Sequence, residues 1–138
     1  MNEKALNILL VEDDNVDVMN VKRAFEKNRI ANPLFVAHNG IDALAMLRSG
    51  KVPGERRIVL LDLNMPRMNG LEFLRELRAD PDLHSTVVIV LTTSNDERDK
   101  VEAYNLNVAG YLLKPVTFVN FVETMAALNK YWALVELP

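Results

Sequence analysis

Acidic, hydroxyl and lysine residues stand at the ends of apolar runs along this chain. NILLV (residues 7–11) runs into Glu12, Asp13 and Asp14. The run before Asp62 (VLL, 59–61) is followed by Asn64, Pro66 and Gly70. TVVIVL (86–91) leads to Thr92, Thr93 and Ser94, and GYLL (110–113) leads to Lys114-Pro115. Carboxylates held close together repel one another and gain proton affinity unless a cation neutralises them. Mg²⁺ takes oxygen ligands and keeps several waters. Two aspartates and a backbone carbonyl would therefore make an incomplete set, open to a phosphoryl oxygen. A lysine supplies a mobile point charge for a second phosphoryl oxygen, and a threonine hydroxyl donates to a third. Phosphoryl transfer asks a protein mainly for alignment and charge neutralisation. A carboxylate can itself be the nucleophile, and Asp62 is the best placed.

Each feature has a plainer reading when taken alone. Acids before a helix favour its dipole, Thr92–Ser94 can cap a helix, Asp62 can form a turn, and Lys-Pro after a strand can be a solvated bend. What carries weight is whether one fold brings all four to one edge. The pattern predicts strands at 7–11, about 34–39, 58–62, 86–91 and 110–114. Between and after them lie helices: one capped by Asp14 or Asn15 and reaching about Asn28, and one capped by Asn39 and stopped at Gly50. Further helices start at Gly70, at Asn95 and at Thr117, with KVPGERR (51–57) as a loop. The strands are continuous apolar runs rather than alternating ones, as strands covered on both faces are. The expected fold is α/β, a doubly wound five-stranded parallel sheet of order 2-1-3-4-5, flavodoxin-like, in three layers. In such sheets ligands sit at the strand carboxyl ends. That order makes the first and third strands neighbours, so Asp13 and Asp62 face each other, with Lys114 and Thr92 approaching from the other side.

The totals narrow the function further. The chain has 138 residues, 49% hydrophobic and 25% charged, a size and composition suited to one folded domain. Net charge is −3, which gives no reason to expect nucleic-acid binding. Cysteine is absent, so disulfides, thiolate nucleophiles and cysteine-based zinc sites are excluded. No apolar run is long enough for a membrane span, and the polar start MNEKALN is not a signal peptide. A cytoplasmic location is expected. His38 and His84 are isolated and read as surface or loop residues, and the six methionines as core fillers.

ILLVEDD, LLDLNMP, VLTTS and YLLKP resemble, in order and spacing, the receiver domain of two-component response regulators. The likeness covers about residues 5–130, leaving 131–138 as an apolar extension of a single domain spanning 1–138. It implies that Asp62 accepts a phosphoryl group from a sensor histidine kinase. It implies Mg²⁺ held by Asp13, Asp62 and the Asn64 backbone carbonyl, with Glu12 acting through water. Thr92 matches the switch hydroxyl, Lys114 the phosphate-binding lysine, and Tyr111 the aromatic that turns inward on activation. The Lys114-Pro115 bond is expected to be cis. Thr93 stands where many members have alanine or glycine, and its bulk bears on water access and phosphoryl lifetime. The loops and the ending YWALVELP look similar to single-domain receivers partnered with phytochrome kinases.

Three functions compete. The first is a phosphorylation switch with no output domain, acting on an unknown downstream protein by contact. The second is an aspartyl-phosphate phosphatase, which would want a second acid at the position of Asn64. The third is a pseudo-receiver, at odds with a full set of acceptor residues. The ending raises a separate expectation. Tyr131, Trp132, Leu134, Val135 and Leu137 follow the expected core of the last helix, and an exposed apolar patch with an aromatic anchor suits an interface. The reading is a homodimer about a two-fold axis; the alternative is a tail folded back on its own domain.

Overall fold

A computed structural model describes residues 6–54 and 56–138. The first five residues of MNEKALN, and Glu55 of the KVPGERR loop, lie outside the described residues. Strands and helices alternate: β1 (Asn7–Val11), α1 (Asn15–Lys27), β2 (Leu34–Ala37), α2 (Gly40–Arg48), β3 (Arg57–Leu61), α3 (Gly70–Ala79), β4 (Val87–Thr92), α4 (Glu97–Asn105), β5 (Gly110–Leu113) and α5 (Phe118–Leu134). The strands are parallel in the order β2-β1-β3-β4-β5, as the sequence predicts.

Both faces of the sheet are covered, which explains the unbroken apolar strands. Leu9, Val11, Val59, Leu61, Val88 and Val90 pack with residues of α2 and α3. Their neighbours Ile8, Leu10, Ile58, Leu60, Ile89 and Leu91 pack with α1 and α5 on the other side. Register then sets the edge. Val11 pairs with Leu61, so Glu12 and Asp62 emerge level from adjacent strands. Thr92 pairs with Leu113, so Lys114 leaves β5 beside it.

Local sequence fixes the helix starts at that edge. Asp14 caps α1, its Oδ1 accepting the Val16 N–H at 2.8 Å. Asn39 caps α2 through the Asp42 N–H at 2.8 Å. Asn69 and Glu72 form a reciprocal capping box on α3. Gly70 is required by close approach, because a Cβ there would lie 2.5 Å from the Asp62 carbonyl oxygen. The start of α3 is thereby seated directly on the segment that carries Asp62. α4 is the least embedded helix, with Ala103 its one buried residue. Its far end is pinned by Arg78, which donates to the carbonyls of Leu106 (2.7 Å) and Asn107 (3.1 Å) as well as to those of His84 and Thr86.

The end of the chain differs from expectation. α5 continues to Leu134, so core packing does not stop near residue 130. Trp132 is 1% exposed and faces Phe25 of α1, the ring centroids 6.2 Å apart. Its Nε1–H donates to Asn129 Oδ1 at 3.0 Å. The reason is helical spacing: Phe121, Met125, Leu128 and Trp132 form one stripe on α1 and the sheet. Leu137 packs against the same cluster. Trp132 is therefore a core residue of its own domain and not a surface anchor, whereas Leu134 is 85% exposed and Tyr131 is also exposed. Removing a buried indole leaves a large cavity, so Trp132→Ala should lower unfolding free energy in urea by about 3–5 kcal/mol. A loss below about 1 kcal/mol would contradict this packing.

Candidate functional site

Asp62 follows β3 and is 4% exposed. A buried carboxylate is costly unless it is paired and hydrogen-bonded, and both oxygens of Asp62 are engaged. Oδ1 accepts from the Thr92 hydroxyl at 2.7 Å and from the Asn64 N–H at 3.2 Å. Oδ2 faces Lys114 Nζ at 3.3 Å. Thr92 is itself fully buried, its Oγ1 also accepting from the N–H groups of Leu63 (3.4 Å) and Ser94 (3.3 Å). The hydroxyl thus ties the end of β4 and the following loop to the end of β3.

Glu12, also buried, directs Oε1 at the Lys114 ammonium and accepts the Asp14 N–H on Oε2 at 3.2 Å. Burial is the main force raising its pKa to about 8; the nearby Asp62 charge adds to it and Lys114 opposes it. The Lys114 side chain is 6% exposed. Burial alone would lower its pKa, but the contacts with Asp17 (2.8 Å), Glu12 and Asp62 outweigh that and raise it. The ammonium stays charged across the physiological range. One carboxylate oxygen each from Glu12, Asp13 and Asp62 lies within 4.8 Å of the others, and Asp13 is the most open of the three. This is a donor set of hard oxygens with unbalanced negative charge, chemistry that fits Mg²⁺.

The sequence-predicted residues therefore converge. Asp62, Glu12, Asp13, Thr92 and Lys114 share one pocket at the carboxyl edge of β1, β3, β4 and β5. Asn64 lies at its exposed rim, its side-chain amide donating to Thr93 Oγ1 at 3.3 Å. Tyr111 is half-buried, and its hydroxyl donates to the Ser94 carbonyl at 2.8 Å, so the ring already rests against the β4–α4 loop. Burial is the leading cause of the upward shift of its phenol. The expected cis bond is corrected: the Lys114-Pro115 peptide is trans. Trans is the intrinsically favoured form of an X-Pro bond, and the ladder already places Lys114 through its N–H on the Thr92 carbonyl at 2.8 Å. His38 is exposed, with Nδ1 3.2 Å from the Glu12 carbonyl oxygen, and His84 is exposed as well. Sequence reasoning missed Asp17. The available signal was its place one helical turn beyond Asp13 and Asp14, on the side of α1 that begins at the pocket.

A parallel 2-1-3-4-5 sheet with acidic, hydroxyl and lysine side chains gathered at its carboxyl edge is a flavodoxin-like α/β fold, which places ligand sites at that edge. The chain belongs to the response regulator receiver domain family, whose model matches residues 8–126. It is 35% identical over 135 residues to the response regulator Rcp1 of Synechocystis sp. (strain ATCC 27184 / PCC 6803 / Kazusa), covering 95% of this chain and 92% of the relative. The Mn(2+)-bound form of Rcp1 superposes with a TM-score of 0.83 at 34% identity, over 98% of this chain and 99% of that one. The phosphorylated cyanobacterial phytochrome response regulator RcpA gives a TM-score of 0.86 at 30% identity, with the same coverage. The chain is thus a two-component receiver, a signalling protein whose structural neighbours include phytochrome response regulators. Among the described residues no helix is long and apolar enough to cross a membrane.

Proposed function

We propose that Asp62 accepts a phosphoryl group from a sensor histidine kinase and that the chain signals through the resulting change of surface. The observation that carries this is the pattern of contacts on Asp62: Oδ1 is bound by Thr92 and the Asn64 N–H, while Oδ2 has, among the described residues, the longer Lys114 contact. Oδ2 is the nucleophilic oxygen: its bond to phosphorus forms as the phosphorus–nitrogen bond of the kinase's phosphohistidine breaks and the imidazole leaves. Asp13, Asp62 and the Asn64 backbone carbonyl would hold Mg²⁺, with Glu12 acting through water, and the ion would neutralise charge on the transferred group. Lys114 and Thr92 supply a cation and a donor to phosphoryl oxygens. Thr92 then leaves Asp62 Oδ1, and Tyr111 follows the loop. In this reading the chain catalyses at most its own phosphorylation and dephosphorylation. A phosphatase of similar topology would want an acid where Asn64 stands, and a pseudo-receiver would not need the full set. A cytoplasmic place beside the kinase belongs to this reading.

The resemblance to Rcp1 and RcpA supports a phytochrome as the kinase partner. A homodimer belongs to the same reading, now without Trp132 among its contacts. Tyr131 lines a shallow apolar groove with Ile89, Ala109, Gly110, Leu112 and Leu128. Exposed Leu134 lies on the same helix and half-buried Val135 follows it, whereas Leu137 packs on its own domain. Such an apolar surface suits a second copy or a downstream protein.

Two measurements test these readings. Acetyl phosphate with Mg²⁺ should place one acid-labile label on the wild-type chain, and chelation or Asp62→Asn should abolish it. Wild-type labelling of Asp62→Asn would refute the assignment. Light scattering across micromolar concentrations should show a dimer that Leu134→Glu dissociates. A wild-type monomer at high micromolar concentration, phosphorylated or not, would remove the dimer from the account.

A further inference from the structure

Asp17 has no role in the reading above, yet it makes a short contact with the pocket's cation. It lies in the first turn of α1, where an acid ordinarily serves the helix dipole or a capping box. The box is not made here: the Asp14 N–H that it would use is bonded to Glu12 Oε2. The Asp17 carboxylate instead accepts from Lys114 Nζ at 2.8 Å, and its side chain is only 23% exposed. An ammonium has three N–H donors. Glu12, Asp17 and Asp62 take them all, and the Asp62 contact, at 3.3 Å, is longer than that to Asp17.

We propose that Asp17 is a positioning residue that shares the Lys114 ammonium with Asp62 and so lengthens its contact with Asp62 Oδ2, which an incoming ligand can then displace. The inference rests on the reading of Asp62 as acceptor. Its logic is competition. Oδ1 is held by Thr92 and the Asn64 N–H, so Oδ2 is the oxygen left for chemistry. A closed Lys114–Asp62 ion pair would neutralise that oxygen and place a cation where a divalent cation must enter. Glu12 cannot be the sole restraint, because it also belongs to the three-carboxylate cluster. Asp17 lies outside that cluster and can hold the ammonium whatever Glu12 does.

The test uses the full chain. A crystal structure of metal-free Asp17→Asn, which keeps the side-chain shape and removes its charge, should show Lys114 Nζ closing to below about 3 Å from Asp62 Oδ2. Mg²⁺ alone, titrated calorimetrically, should bind about ten-fold more weakly to Asp17→Asn than to wild type. Charge removal contributes to that loss even without the lysine, so the same substitution is made in Lys114→Met. There the loss should shrink to about two-fold, the part owed to charge alone. An ammonium that stays in place in Asp17→Asn, or an equal loss of Mg²⁺ affinity in both backgrounds, would overturn the proposal. Failure of wild type to take label on Asp62 would refute the acceptor reading instead, and the ammonium's position would still decide what Asp17 does.

Discussion

A carboxylate buried at the end of a parallel strand is the constraint on which this molecule depends. Asp62 sits in a position that would be unfavourable without partners, and its partners come from three other places in the chain: Asn64, Thr92 and Lys114. The pairing of β3 with β4 brings Thr92 to Asp62, the pairing of β4 with β5 brings Lys114, and the close seat of α3 at Gly70 holds the segment that carries Asp62 and Asn64. A one-residue slip in a strand would turn its side chains to the opposite face. The apolar faces on both sides of the sheet thus do more than stabilise the fold; they fix the register that makes the pocket.

The same contacts offer a route outward. Thr92 binds Asp62 and also accepts the Ser94 N–H. Ser94 in turn meets α4 through Asp99 at 2.6 Å and Tyr111 at 2.8 Å. α4 is poorly buried, yet its far end is fastened by Arg78, which donates to the carbonyls of Leu106 and Asn107. An element lightly packed along its length is of the low-stability kind that switches draw upon. A change in the partner of the Thr92 hydroxyl would reach α4 first at the end that Ser94 and Asp99 join.

Much of this was legible before any coordinates. Continuous apolar strands ending on Glu12, Asp62, Thr92 and Lys114 implied a two-faced parallel sheet, and the strand order then brought those ends together. Asn39 and Asp14 were readable as caps because their side chains act on backbone within three residues. Three features were not legible. Asp17 carries no local signal that sets it apart from an ordinary helix-start acid, since its partner Lys114 is 97 residues away. Trp132 looked like surplus beyond the core, because the length of α5 depends on tertiary packing against Phe25 and not on a local stop signal. The trans Lys114-Pro115 bond went against the family likeness, since either isomer of an X-Pro bond is energetically accessible.

The most direct measurement is amide hydrogen exchange of α4 before and after treatment with acetyl phosphate and Mg²⁺, in wild type and in Thr92→Ala. Wild-type exchange should change most at the end of α4 near Ser94 and Asp99 and least at the end held by Arg78. Thr92→Ala should accept phosphate on Asp62 while its α4 exchange stays unchanged. An α4 response in Thr92→Ala as large as in wild type would contradict the claim that the buried Asp62–Thr92 contact is what links the pocket to the surface.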